Sequence, residues 1–97
     1  MKLQEIKLSV FFLKEGSKFI AYSPALDIST CGKTFEKASK RFEELVEIFF
    51  EELREKGTLE DVLLECGWKK GPKPQAKWIA PSFIAQTDET FKIPCRV

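Results

Sequence analysis

The stretch SPALDISTCGKTFEKA, residues 23–38, predicts where a sheet ends and the main helix of the chain begins. Pro24 ends a preceding strand, because a proline has no amide hydrogen to donate to a ladder. Residues 27–31 predict a further short strand. Gly32 allows a backbone conformation that other residues resist, and the Thr34 hydroxyl can cap the free amides of a helix that begins near Phe35. The stretch therefore predicts a strand, a tight corner and a helix.

A hairpin is predicted upstream of this stretch. Over residues 3–13 the apolar residues Ile6, Leu8, Val10 and Phe12 occupy alternate positions, which places them on one face of a strand. The sequence EGS at residues 15–17 supplies a short turn, and the β-rich run KFIAYS follows it. Residues 5–23 are therefore predicted to form an antiparallel hairpin.

The helix downstream has one apolar face. At about 100° per residue, its apolar side chains gather in an arc roughly 140° wide, which is typical of a helix that lies across a sheet. Gly57 is expected to end this helix, and Thr58 to start a shorter one that runs to Gly67. Ile48 falls outside the arc, whose members are Phe35, Ala38, Phe42, Leu45, Val46, Phe49, Phe50 and Leu53.

The composition changes beyond Trp68. Four prolines exclude a long helix there and permit two short extended pieces, at residues 77–80 and 91–97. We therefore predict an α+β fold in which an antiparallel sheet, three strands plus a C-terminal strand, packs against one long helix, with a short second helix. Residues 1–70 are expected to form the domain, and residues 71–97 an extended tail that packs on it.

Composition places the chain among soluble proteins. Its 97 residues are 43% hydrophobic and 32% charged, with a net charge of +1. Residues 1–67 carry 10 basic and 13 acidic side chains (net −3), whereas residues 68–97 carry 6 and 2 (net +4). No apolar run approaches the length of a membrane span, so no membrane partner is expected. Three cysteines without close pairing favour a reducing, cytoplasmic location, with Cys66 packed among leucines and Cys95 in the terminal strand.

The residues that carry most enzymatic chemistry are missing from the sequence. The chain has no histidine, which excludes imidazole acid–base catalysis and the His-activated nucleophiles. It also has no glycine-rich phosphate loop. We therefore expect no enzymatic activity, no cofactor and no metal. A metal-dependent nuclease that uses Asp27 remains an alternative. The helix glutamates are expected to be solvated charges rather than ligands, because their spacing places them on the polar arc: Glu36, Glu43, Glu44, Glu47, Glu51, Glu52 and Glu55.

Two kinds of surface could bind a partner. One is apolar, and it could either associate with a second copy to form a two-fold dimer or be covered by the tail beyond Trp68. The other is basic and lies on the first turns of the helix, where the macrodipole disfavours cations. It is either a solvated face or, with the basic tail, a site for RNA or an acidic partner. The candidates are Phe11, Leu13, Tyr22, Ile48, Trp78 and Phe83 for the apolar surface, and Lys33, Lys37, Lys40 and Arg41 for the basic one.

The opening stretch resembles the signature of HicB-type antitoxins. In that family an extended P-x-L-[DP] segment runs into a Gly-x-Thr turn and then into an amphipathic helix that begins near E-x-A. The helix and the Gly-Trp that ends the second helix are also similar, so that the resemblance covers roughly residues 5–70. The matching residues are Pro24, Leu26, Asp27, Gly32, Thr34, Glu36 and Ala38.

The resemblance implies both a fold and a function. It implies an α+β domain similar to a degraded ribonuclease H fold, which binds and blocks a small ribonuclease toxin shaped like a double-stranded-RNA-binding domain. Family members that repress their own promoter carry an additional DNA-binding domain after this region. Prolines and strand-like pieces stand there in this chain, so we expect a solitary HicB-like domain that does not bind DNA.

Overall fold

The structure, a computed structural model, describes residues 3–96 of the 97-residue chain. An antiparallel three-stranded sheet in the order β1-β2-β3 is followed by a long helix, a short helix and a separate two-stranded ribbon, β4-β5. The predicted α+β class is therefore confirmed, with a sheet packed against one long helix and a short second one. The elements are β1 Phe11–Glu15, β2 Lys18–Ser23, β3 Ile28–Gly32, α1 Phe35–Lys56, α2 Leu59–Glu65, β4 Lys69–Lys70 and β5 Trp78–Ile79.

Both predicted ends of α1 are confirmed. The Thr34 hydroxyl accepts a hydrogen bond from the backbone amide of Lys37 at 3.1 Å, so the N-terminal cap forms as its sequence indicates. Gly57 adopts the left-handed conformation, with φ of 69°, and its amide donates to the Arg54 carbonyl at 3.2 Å. Because these signals are local, they act whatever the helix packs against.

The corner between β3 and α1 needs a glycine for a different reason from the one predicted. The φ of Gly32 lies outside the left-handed region. A Cβ atom at this position would instead lie 2.6 Å from the backbone nitrogen of Ala38 and 3.0 Å from the carbonyl carbon of Lys37. The first turn of α1 therefore passes directly against the backbone of β3, and only a glycine leaves room for it.

The core consists of two adjoining clusters. One centres on Trp68, whose indole nitrogen donates to the buried carbonyl oxygen of Ala25 at 2.7 Å. The other lies between α1 and the sheet, where Ala21 of β2 meets Ala38 and Phe42. The first cluster ties α2 and the chain after it to the turn between β2 and β3.

The N-terminal segment, residues 3–10, differs from its prediction. Ile6, Leu8 and Val10 are half-buried against the core, as their alternation predicts, but the segment pairs with no neighbouring strand in the described part of the chain. It is held by Gln4 instead. The side-chain amide of Gln4 donates to the Trp78 carbonyl at 2.7 Å and accepts from the Trp78 amide at 2.9 Å.

The C-terminal part also differs from its prediction. The predicted strand at residues 77–80 forms as β5 but pairs with β4, so it does not join the three-stranded sheet. The strand predicted at residues 91–97 is absent from residues 91–96, and residue 97 lies outside the described residues. Cys95 is consequently exposed rather than part of an apolar strand. Of the helices within residues 3–96, none combines the length and the hydropathy that a bilayer span requires.

Candidate interaction surface

The three-stranded sheet carries an apolar surface on the face that points away from α1. Paired residues of an antiparallel ladder share a face, and Phe12 pairs with Ala21, which lies against the helix. The neighbours of these residues in each strand therefore point to the opposite side. We call the apolar part of that surface the open sheet face; it is formed by Phe11, Leu13, Ile20, Tyr22 and Cys31, and the polar residues Glu15, Lys18 and Ser29 lie on the same side at its edges.

The register arranges the open sheet face in two cross-strand rows. Phe11 lies opposite Tyr22, while Leu13 lies opposite Ile20, which in turn lies opposite Cys31. None of these side chains belongs to either core cluster of the described residues, and the Leu13 side chain is 53% exposed. A sheet in a compact domain normally covers one face and leaves the other polar, so this apolar second face is the unusual feature.

The tail covers one corner of the open sheet face. The ring of Phe83 lies against that of Phe11, with centroids 5.1 Å apart and a tilt of 56°. This contact lies within the geometry that aromatic pairs prefer. Phe83 is still 53% exposed, and Leu13 in the next row keeps its exposure. The predicted cover by the tail is therefore present at Phe11 and incomplete at Leu13.

Tyr22 carries the polar contact at the rim of this surface. Its hydroxyl donates to Oδ1 of Asp27 at 3.0 Å. This hydrogen bond, together with partial desolvation and the carboxylate charge, raises the pKa of Tyr22 above its ordinary value. Asp27 itself has a positive φ of 53°, a conformation that aspartate tolerates better than most residues. The pair fixes the turn that leads into β3.

The predicted apolar candidates separate into two groups. The structure brings Phe11, Leu13, Tyr22 and Phe83 together on the open sheet face. Ile48 instead lies 54% exposed on α1, outside the helix's buried arc as its position predicts.

Trp78 is half-buried in β5, beneath the ammonium group of Lys70 at 5.2 Å from its ring centroid. It therefore belongs to the two-stranded ribbon and not to the open sheet face.

Sequence reasoning missed Ile20 and Cys31 as members of the surface. The alternation in KFIAYS already places Ile20 beside Tyr22 on one face of β2. The contribution of Cys31 depends on the pairing of β2 with β3, which a single strand's pattern does not contain.

The basic residues at the start of α1 are exposed, as predicted. Lys33, Lys37 and Lys40 form no ion pair with another described residue. Arg41 has a structural role that the sequence did not reveal, because its guanidinium donates to the carbonyl oxygen of Cys31 at 2.9 Å. This bond occupies a backbone acceptor of β3, an edge strand, and leaves three lysines as the accessible basic group.

A second apolar feature is a groove of about 830 Å³ between the N-terminal segment and α1. Its floor contains the core residues Leu63 and Trp68 together with Trp78. We call it the helix groove. One wall is the apolar side of residues 3–10, and the other is the face of α1 that carries Phe42, Glu43, Val46, Glu47, Phe50 and Arg54.

The carboxylates and thiols of the described residues lie apart from one another or are exposed. Within residues 3–96, no three carboxylate or thiol side chains come close enough together to hold a metal ion. The helix glutamates are exposed, as the polar arc predicts. All three cysteines lie in the described region as free thiols. Burial raises the pKa of the Cys66 thiol, and the charges of Asp27 and Glu65 add to this effect, so Cys66 is held in its less reactive protonated form.

Comparison of the chain with protein-family models, with curated proteins and with solved structures finds no match in any of the three.

Proposed function

We propose that this protein is a non-enzymatic interaction module of the cytoplasm, which binds another protein through the open sheet face. The observation that carries the proposal is the apolar second face of a sheet whose first face is already packed on α1. Covering the exposed half of Leu13 alone would contribute about 1 kcal/mol to binding. The other members of the face are half-buried and would each contribute less, and together with Leu13 they form a small apolar centre of the kind that protein interfaces have.

The resemblance to HicB-type antitoxins supplies a class of partner. It implies a small ribonuclease toxin, and a second copy of the chain is the other protein that could cover the face. The free thiols fit a reducing compartment, and the missing histidine and phosphate loop support binding rather than catalysis. The HicB-like fold assignment is part of this proposal.

The proposal is tested by comparing two matched substitutions. Leu13→Lys places a charge on the open sheet face, whereas Ile48→Lys places the same charge on α1 at nearly equal exposure, 54% against 53%. Tagged wild-type protein and both variants are expressed at native level, and the captured proteins are quantified. We expect a small basic protein of about 60 to 80 residues to be captured by the wild type and by Ile48→Lys, and to be lost with Leu13→Lys.

The captured protein is then purified, and its affinity for each form is measured by calorimetry. We expect Leu13→Lys to weaken binding at least about tenfold, since it buries an unpaired charge at the centre of an interface. Equal binding by Leu13→Lys and wild type would contradict the proposal, as would capture of the same proteins by all three forms. The circular dichroism of each variant establishes that it is folded.

RNA binding is a second candidate, and the exposed lysines of α1 favour it. Lys33, Lys37 and Lys40 carry three cations on successive turns without an ion pair among the described residues. At a site of this kind the affinity for an RNA duplex falls as salt is added. For a duplex with the charge density of B-form DNA, the logarithm of the binding constant falls against the logarithm of the salt concentration with a slope of about −0.9 for each phosphate neutralised. Binding that does not change with salt, or that survives replacement of all three lysines by alanine, would exclude it.

A further inference from the structure

The C-terminal tail, residues 82–96, forms neither helix nor strand, and beyond Phe83 its large apolar side chains are mostly exposed. Ile84 is 92% exposed, and Phe91 and Ile93 are each 80% exposed. If residues 91–93 become extended on binding, Phe91 and Ile93 point to one side and residue 92 to the other. The tail can therefore present two large apolar groups together, with the basic side chains of Lys92 and Arg96 nearby in the sequence.

The whole chain exposes far more surface than a compact monomer of its mass. Its accessible surface is 8505 Å², whereas a compact protein of 11.2 kDa exposes about 5,700 Å². Its radius of gyration is 16.7 Å, against about 12.5 Å for a compact domain of this length. The excess of about 2,800 Å² exceeds the roughly 800 Å² per partner that a standard stable interface buries. There is enough unburied surface in each chain for a complete protein interface.

We propose that the tail of one copy lies in the helix groove of a second copy, and that the exchange is reciprocal, so that the protein is a two-fold dimer. Phe91 and Ile93 enter the groove over its floor of Leu63 and Trp68. The groove volume of about 830 Å³ is large enough for these two side chains and the backbone between them.

Charge complementarity identifies the tail as the occupant. Glu43 and Glu47 line the helix groove on α1, and the exposed face of the helix beyond them is acidic. Within the tail the two acidic residues, Asp88 and Glu89, precede the apolar pair, whereas both basic residues, Lys92 and Arg96, lie beside or after it. The end of the tail is therefore locally basic and is attracted to a wall that carries two glutamates against one arginine, Arg54. Lys92 and Arg96 lie next to the two apolar groups and can pair with the two glutamates.

The N-terminal segment provides a backbone for the tail to follow. Residues 3–10 form one wall of the groove and take part in no ladder within the described chain. An extended peptide that enters the groove can donate and accept backbone hydrogen bonds along this wall, as in strand addition. Pro94 limits this pairing to the residues before it.

The proposal uses different residues from the open sheet face, so either can fail alone. Light scattering after size exclusion measures the mass of the full chain over a roughly hundredfold dilution range, because association follows mass action. We expect twice the mass of one 11.2 kDa chain at the concentrated end. Leu13→Lys, which tests the open sheet face, is expected to leave this dimer unchanged.

Charge reversal is the decisive experiment, because all the substituted residues are exposed and the variants should fold. Lys92→Glu with Arg96→Glu, or Glu43→Lys with Glu47→Lys, is expected to weaken the dimer about tenfold or more. Combining the four substitutions should restore it. Ile93→Ser should weaken it similarly, while Ile84→Ser, a matched change outside the groove contact, should not.

A cross-linking measurement separates exchange between copies from folding back of the tail within one chain. A photo-cross-linker is attached to Cys95 of unlabelled chains, which are mixed with ¹⁵N-labelled chains. We expect cross-links from Cys95 to residues 43–54 of the labelled chain. The proposal would be overturned if the protein were a monomer at every concentration. It would also be overturned if the charge reversals left the dimer unchanged, or if Cys95 formed cross-links only within the unlabelled chain.

Discussion

Substitution of Gly32 by alanine tests the packing of α1 against β3. The added methyl group would lie 2.6 Å from the Ala38 nitrogen and 3.0 to 3.1 Å from two further backbone atoms of the helix. A helix backbone cannot rotate away as a flexible side chain can, so the strain must be relieved by moving α1. Overpacking of a tight site costs about 1–3 kcal/mol, and we expect the upper half of that range here, about 2–3 kcal/mol.

The free energy of unfolding is measured by urea denaturation, followed by circular dichroism. With an m-value of about 1–1.5 kcal/mol/M for a domain of this size, the expected loss lowers the urea midpoint by about 2 M. The control is Gly57→Asn, because a Cβ atom at residue 57 meets nothing within 4 Å and asparagine tolerates the left-handed conformation. A Gly32→Ala midpoint equal to that of the control would refute the close approach of helix and strand.

Three further predictions concern single side chains. Because the hydrogen bond to Asp27 raises the pKa of Tyr22, the protonated hydroxyl stabilises the fold below the ordinary pKa of 10.0, and this contribution disappears as pH rises through the raised value. Tyr22→Phe should therefore flatten the decline of the urea midpoint at alkaline pH, and an unchanged decline would contradict this. Trp68→Phe removes the donor to the buried Ala25 carbonyl and should lower the free energy of unfolding, measured with urea, by about 2 kcal/mol. A loss below about 0.5 kcal/mol would show that water replaces the indole as the donor. Exposed Cys95 should react with a thiol reagent well before Cys66, because burial raises the pKa of the Cys66 thiol. The modification rate of each cysteine is followed by peptide mass mapping, and equal rates would refute that order.

The elements that the sequence predicted best are those with local signals. The start and end of α1 depend on Thr34 and Gly57, whose hydrogen bonds reach only three residues along the chain. The hairpin likewise depends on alternation and a short turn. The open sheet face was predicted in part, because Phe11, Leu13 and Tyr22 follow from alternation within strands, whereas Cys31 requires the pairing between β2 and β3.

The predictions that were wrong required information about neighbours. Residues 3–10 alternate as a strand does and bury Ile6, Leu8 and Val10, yet a ladder also needs a partner strand, which the pattern cannot supply. The same holds for residues 91–96, whose apolar groups stay exposed. Local pattern therefore determines which side chains prefer burial, and tertiary contacts determine whether their backbone becomes a strand.

The two hydrogen bonds between the Gln4 side chain and the Trp78 backbone connect positions 74 residues apart. A stretching force applied through residues 3 and 96 would load this amide before it reached the sheet or the long helix. The first rupture in a single-molecule pulling experiment should accordingly release the N-terminal segment while the mechanical core stays intact. The side chain of Gln4 would therefore set the force at which the molecule first opens.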